Sequence, residues 1–187
     1  MRQVDVAKQF IGECLQPGDF AVDATVGNGH DTLFLAKLVG NSGLVYGFDI
    51  QIMAIELTNE KLRQAGLHNQ TKLYQTGHEK LSDYISASIP APLKAVMFNL
   101  GYLPGSDKQK ITTPETTLSA LHTSLEMLAV GGRISVIGYT GHPGGQTETE
   151  ACKLLASRLT KDFRISINIP QNKVTHPPEL ILIERIN

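Results

Sequence analysis

Apolar residues recur at two different periods along this chain, and the switching between them lays out its elements. Val6, Phe10, Ile11 and Leu15 return at helical spacing, which predicts an amphipathic opening helix over residues 3 to 15. Pro17-Gly18-Asp19 ends it. Phe20-Ala21-Val22-Asp23 reads as a short buried strand, and a glycine-containing turn leads into a helix carrying Leu33, Phe34, Ala36 and Leu38. Gly40-Asn41-Ser42-Gly43 stops that helix before a second strand, residues 44 to 49. The alternation continues with a helix near 52 to 65, a strand at Lys72-Leu73-Tyr74, a helix at 79 to 87 and a strand at 94 to 99. A long helix over 113 to 130, faced by Leu118, Leu121, Leu125 and Leu128, stops at Gly131-Gly132. A strand at 133 to 139 and a helix from about 146 to 159 complete the series.

Such alternation implies βαβ units, hence a parallel sheet with helices on both faces. The end breaks the rhythm. Residues 163 to 169 and 179 to 186 are both strand-like, with only the loop 170 to 178 between them, so they should pair antiparallel. The expectation is one α/β domain over residues 1–187, Rossmann-like, whose mostly parallel seven-stranded sheet closes in an antiparallel C-terminal hairpin.

Composition narrows the function classes. The hydrophobic fraction is 41%, and 17 basic residues against 18 acidic ones leave a net charge of −1. That balance excludes a large, sequence-independent nucleic-acid surface but leaves room for a local basic rim. No apolar run approaches the roughly 20 residues that span a bilayer. The N-terminus lacks the order of a secretory signal, so no membrane association and a cytoplasmic location are expected. Cys14 and Cys152 each stand alone, without a paired cysteine or a histidine cluster, so no metal site is expected.

The chemistry concentrates at the carboxyl ends of the strands, where open α/β sheets bind ligands. A strand ending in Asp23, the turn Ala24-Thr25-Val26-Gly27-Asn28-Gly29 and a following helix bring backbone close to a nucleotide-like ligand. Asp49 ends the next strand, placed to accept from the ribose hydroxyls of an adenosine or to cap the helix that Ile50 and Gln51 open. A dinucleotide fingerprint wants a third small residue at the position of Thr32. Instead, His30 and Asp31 fill the gap, and acids at 23 and 31 suit the cationic end of S-adenosylmethionine (SAM) and would repel a pyrophosphate. With the closing hairpin, this predicts the class I fold of SAM-dependent methyltransferases. Gly77-His78-Glu79 follows the third strand, on the adenine side. The cofactor set is therefore Asp23, Thr25, Gly27, Asn28, Gly29, His30, Asp31, Asp49, Gln51, His78, Glu79, Asn99 and Gly101.

Asn99-Leu100-Gly101-Tyr102 follows the fourth strand, where the methyl group should emerge. Methyl transfer is an in-line displacement, so the protein must align the nucleophile and keep its lone pair free. This segment has the polar head and aromatic tail of the Asn/Asp-Pro-Pro-aromatic motif of amino-group methyltransferases but lacks both prolines. Asn99, Tyr102 and His142 are the catalytic candidates, His142 because an imidazole is the side-chain type suited to a proton relay. Thr113 with Pro114 reads as a helix cap with proline in the first turn. Candidate substrate contacts are Tyr102, Leu103, Pro104, Asp107 and Lys108, then Tyr139, His142, Gly144 and Gly145 in a glycine-rich loop, and Lys173 and His176 in the last loop.

Five segments in order carry a resemblance: Asp-Ala-Thr-x-Gly-Asn-Gly-His-Asp-Thr (23–32), Gly-His-Glu (77–79), Phe-Asn-Leu-Gly-Tyr-Leu-Pro-Gly-x-Asp-Lys (98–108), Tyr-x-Gly-His-x-Gly-Gly (139–145) and Asn-x-x-x-x-Pro-Pro (172–178). Together they resemble, over nearly the whole chain, the small bacterial methyltransferase family labelled "putative rRNA methylase", the MnmM family. Ser106 departs from the glycine expected there. The resemblance implies methylation of the aminomethyl group on the wobble uridine of tRNA, with SAM as donor and the anticodon stem-loop as partner. Methylation of rRNA or of a small-molecule amine, a nicotinamide-dependent oxidoreductase and a non-catalytic SAM-binding subunit are the other readings. The oligomeric state is left open; a homodimer would offer a wider RNA platform.

Overall fold

The computed structural model describes residues 1–85, 91–101, 112–170 and 176–187. Among the described residues the α-helices are α1 (Gln3–Gly12), α2 (His30–Val39), α3 (Ile52–Gln64), α4 (Leu81–Ile85), α5 (Pro114–Met127) and α6 (Gly145–Ser157). The strands are β1 (Phe20–Asp23), β2 (Leu44–Asp49), β3 (Thr71–Gln75), β4 (Leu93–Leu100), β5 (Leu128–Gly138), β6 (Phe163–Asn168) and β7 (Glu179–Arg185). They form one sheet in the order β3-β2-β1-β4-β5-β7-β6. The first five strands run parallel, and β7 enters antiparallel to both β5 and β6. The expected closing hairpin is present, with β7 wedged between β5 and β6.

Alternating strand residues feed two cores, because successive side chains leave opposite faces of a strand. On one face Ala21, Val45, Ala95, Met97, Ile137 and Leu180 pack beneath α1, α2 and α3, which contribute Ala7, Ile11, Leu35, Ala36 and Leu62. On the other, Val22, Phe48, Val96, Phe98, Val136 and Ile183 meet Leu81, Ile85, Ala120, Leu121, Cys152 and Ala156 of α4, α5 and α6. Helices cover both faces, as the alternation predicts. None of the described helices is long and apolar enough to cross a membrane.

Two boundaries differ from the hydrophobic spacing. α1 stops at Gly12, a poor interior helix residue, and Leu15 still reaches the core from the turn that follows. Helix α5 ends at Met127 rather than near 130, because the chain joins the sheet at once: Leu128 pairs with Leu93, and pairing resumes at Arg133 with Ala95. Gly131-Gly132 lies in the bulge between those pairs, where Gly131 has a φ of 71°. It interrupts a strand and does not end a helix.

Strand order reverses between β1 and β4, with α2 leaving β1 on one face and α5 following β4 on the other. The crevice that opens there faces the carboxyl ends of β1, β2, β4 and β5.

Candidate active site

That crevice is a cavity of about 590 Å³, within the range of small-ligand sites. Its floor is the loop after β1. Gly27 and Gly29 have φ of 50° and 77°, the left-handed region in which glycine is favoured. At Gly29 the restriction is doubled, since a Cβ would lie 2.6 Å from Thr58 Oγ1 on α3. Helix α3 also braces the loop with polar contacts: Thr58 Oγ1 donates to the Gly27 carbonyl at 3.4 Å and Lys61 Nζ to the Asn28 carbonyl at 2.8 Å. Neither brace stands out in the sequence.

Asp49, at the end of β2, accepts from the Gly27 amide through Oδ2 and from the Gln51 amide through Oδ1, both at 2.9 Å. Gln51, not Asp49, is the N-cap residue of α3. The carboxylate thus ties the glycine loop to β2 while lining the cavity.

Asp23 sits beneath the loop, fully buried and outside the cavity wall. Its oxygens accept from the Thr25 amide at 3.2 Å and the Thr32 hydroxyl at 2.6 Å. Burial, reinforced by the nearby charge of Asp31, pushes its carboxyl up to about 7. Asp31 stands in the first turn of α2, where the helix dipole favours an acid. Its Oδ2 accepts from Asn99 Nδ2 at 2.7 Å, and Lys8 Nζ of α1 lies 2.9 Å from Oδ1, off the line of a hydrogen bond but close enough to pair charges. The Asn99 backbone donates to Thr25 Oγ1 at 2.8 Å.

Beyond the end of β3, the buried His78 ring joins a polar chain through the interior. Nδ1 donates to the Ala24 carbonyl at 3.0 Å and Nε2 lies 3.3 Å from Thr117 Oγ1. Burial holds this imidazole below its ordinary pKa. Thr117 donates at 2.6 Å to Glu148, a carboxylate 1% exposed, whose other oxygen accepts from Thr112 at 2.8 Å. Thr112 in turn clasps Gly101: the Gly101 amide donates to Thr112 Oγ1 at 3.0 Å and the Thr112 amide to the Gly101 carbonyl at 3.2 Å. Thr113 caps α5 as its sequence predicts, with Pro114 in the first turn.

At the opposite wall, Gly101 has a φ of 144°, and a Cβ there would come 3.2 Å from His142 Nε2. A Cβ on Gly145 would overlap the Tyr139 carbonyl and lie 2.7 Å from the same nitrogen. His142 Nδ1 donates to the Pro143 carbonyl at 3.0 Å. Tyr139 is held above its ordinary pKa by burial and by the charge of Asp31. His176, also in the wall, has a φ of 57°, unusual for a residue with a side chain.

Of the residues expected from sequence, Thr25, Gly27, Asn28, His30 and Asp31 line the cavity from the glycine loop and α2. Asp49, Gln51, His78 and Glu79 line it beyond the ends of β2 and β3, and Asn99, Gly101, Tyr139, His142 and His176 form the far wall. Asp23, Gly29, Gly144 and Gly145 do not reach it. Tyr102, Leu103, Pro104, Asp107, Lys108 and Lys173 lie outside the described residues. Sequence reasoning missed Val4 of α1, and Phe48 and Thr116 in the wall. Apolar periodicity marked α1 and Phe48 only as core.

This geometry has known counterparts. The family model described as "Putative rRNA methylase" matches residues 45–184. The chloroplastic tRNA (mnm(5)s(2)U34)-methyltransferase of Arabidopsis thaliana is 41% identical over 166 residues, 84% of this chain and 60% of that protein. The chain therefore spans about three fifths of that relative's length. Among solved structures, a "putative rRNA-methylase" from Clostridium thermocellum superposes with a TM-score of 0.94 at 40% identity, covering 100% of this chain and 98% of that one. A "putative methyltransferase" from Streptococcus mutans, in complex with SAH, gives 0.88 at 35% identity, with coverage of 99% and 98%.

Proposed function

The chain belongs to the family described as "Putative rRNA methylase", and on that premise we propose that it is a SAM-dependent N-methyltransferase acting on the aminomethyl group of the tRNA wobble uridine. The observation that carries the reading is the Asn99 amide, fixed by Asp31 and Thr25 at the carboxyl end of β4 in the cavity wall. With its nitrogen committed to a carboxylate, the amide presents an oxygen, the atom type that holds an amine by its N–H groups. The Arabidopsis relative's named activity and the SAH bound by the Streptococcus mutans protein support the same reading.

When bound, SAM supplies an electrophilic methyl group. Asp49 would accept from the ribose hydroxyls, the His78 and Glu79 side would meet the adenine, and Asp31 would face the cationic end. Asn99 would hold the amine in line, with His142 in the same wall. The anticodon stem-loop would lie across the wall containing His142 and His176, and the protein would work in the cytoplasm, where its substrate is.

The test is single-turnover methylation of tRNA carrying aminomethyl-uridine, with nucleosides read by mass spectrometry. Conversion to the methylaminomethyl form is expected. Methylation confined to rRNA, or calorimetry showing NAD(H) binding and none of SAM, would overturn the reading. Asn99→Ala is expected to slow transfer while leaving SAM affinity near that of the wild type.

A further inference from the structure

Asn99 and Asp31 stand in the cavity wall, but Lys8 does not line it. Lys8 projects from α1, an element outside the sheet–helix alternation, and is mostly covered, with its side chain 27% exposed. Its ammonium lies 2.9 Å from Asp31 Oδ1, 3.5 Å from the His30 carbonyl and 5.4 Å from the centre of the Phe34 ring. Withdrawing a lysine from water is unfavourable unless a partner compensates it, and Asp31 is that partner. The second Asp31 oxygen takes the Asn99 Nδ2 hydrogen.

The contacts form a line: cation, carboxylate, amide, cavity. An amide has a donor end and an acceptor end, and its neighbours decide which faces where. A carboxylate can only accept, so it draws Nδ2 and turns Oδ1 the other way. The carboxylate itself needs holding. It is buried, with Asp23 at the end of β1 and Tyr139 at the end of β5 both close enough to feel its charge. Without the ammonium, Asp31 would be a buried carboxylate lacking its cation and would turn toward solvent or toward any cation in the cavity, and Asn99 would lose its anchor.

We propose that Lys8 is a positioning residue for the transfer step: from outside the cavity it fixes Asp31, which orients the Asn99 amide so that its oxygen meets the substrate amine. This rests on the amine-methylating reading above. Lys8 touches neither substrate nor cofactor and acts through two side chains in series.

The experiment compares Lys8→Met and Lys8→Arg with the wild type by two readouts. The first is the side-chain amide resonance pair of Asn99, assigned by its loss in Asn99→Ala and observed without substrate. The second is the single-turnover rate on aminomethyl-uridine tRNA, alongside KM for that tRNA. Lys8→Met is expected to shift the Asn99 resonances and slow transfer about ten- to a hundredfold, the effect of a small misplacement of a reacting group. KM should stay within about threefold, and Lys8→Arg should restore both readouts. If Lys8 merely staples α1 to α2, Lys8→Met will lower the melting temperature but leave the resonances and the rate of the folded protein unmoved, which overturns the proposal. A wild type that does not methylate the amine refutes the functional reading instead, and the resonances still judge the role of Lys8.

Discussion

Asp23→Asn should flatten the dependence of stability on pH. Asp23 is fully buried, and its carboxyl titrates at about 7 instead of the 3.8 of an exposed aspartate, because burial and the charge of Asp31 both disfavour ionisation. Between those two values the unfolded chain has released this proton and the native protein still holds it. Stability therefore falls as pH rises, by about 1.4 kcal/mol per pH unit. The contribution is neutral below about 4 and reaches a loss of up to about 4 kcal/mol above 7. Asparagine carries no proton to lose. It keeps an oxygen for the Thr25 amide, and the Thr32 hydroxyl can turn to accept from its nitrogen. Any change in hydrogen-bond strength is independent of pH, so the slope isolates the carboxyl. The buried His78, held below its ordinary pKa, acts in the opposite sense: its contribution grows as pH rises toward its unfolded value. It is common to both proteins and cancels in their difference. With no tryptophan in the chain, urea unfolding is best followed by far-ultraviolet circular dichroism at pH 5, 6, 7 and 8. The stability of Asp23→Asn relative to wild type should rise by about 2–3 kcal/mol from pH 5 to 7 and then level off. Parallel curves over that range would show that Asp23 is ionised in the native protein and that the reasoning is wrong.

Three further outcomes follow from the site. Asp49→Ala removes the acceptor for the Gly27 and Gln51 amides and, on the proposed reading, for the ribose; SAM affinity measured by calorimetry should fall about ten- to a hundredfold, and an unchanged Kd contradicts the assignment. Glu148→Ala strips the Thr112 and Thr117 hydroxyls of their acceptor, for a loss of about 2–4 kcal/mol in urea unfolding. A loss below about 1 kcal/mol would show that the interior chain contributes little. Gly145→Ala forces a Cβ into the Tyr139 carbonyl and the His142 ring, and should lower both stability, by about 1–3 kcal/mol, and transfer rate. A variant with wild-type melting and turnover would mean that this loop yields freely.

The fold was legible wherever the period of apolar residues was the deciding quantity. The five parallel strands, their intervening helices and the final hairpin all follow from it. The glycine loop was legible because positive φ restricts the residue type, and Asp49 because it ends a strand beside that loop. Residues that pair across long stretches of chain leave no such mark. Lys8 reads as one polar position on an amphipathic helix, and Glu148 as an ordinary acid in a helix's first turns. Nothing local announces that Glu148 turns inward to meet Thr117, which is 31 residues away. Asp23 shows the converse. Its place beside the glycines suggested a ligand contact, whereas the structure puts it under the loop, where it holds Thr25 and Thr32. The Gly131-Gly132 pair misled for a related reason, since a helix stop and a bulge within a strand use the same residues.

The wedged position of β7 also bears on the order in which this protein can assemble on a ribosome. Among the described residues β6 pairs with β7 alone, and β7 is made after it. While β1 to β5 can zip together as they emerge, β6 must wait as a bare strand until the chain has doubled back and slid β7 against β5. Its exposed Ile167 is then an opening for the wrong partner, so newly made copies should be most prone to cross-pairing during that delay. A burst of synthesis that crowds nascent chains would lengthen the odds against correct closure, and slow translation between β6 and β7 would prolong the exposure.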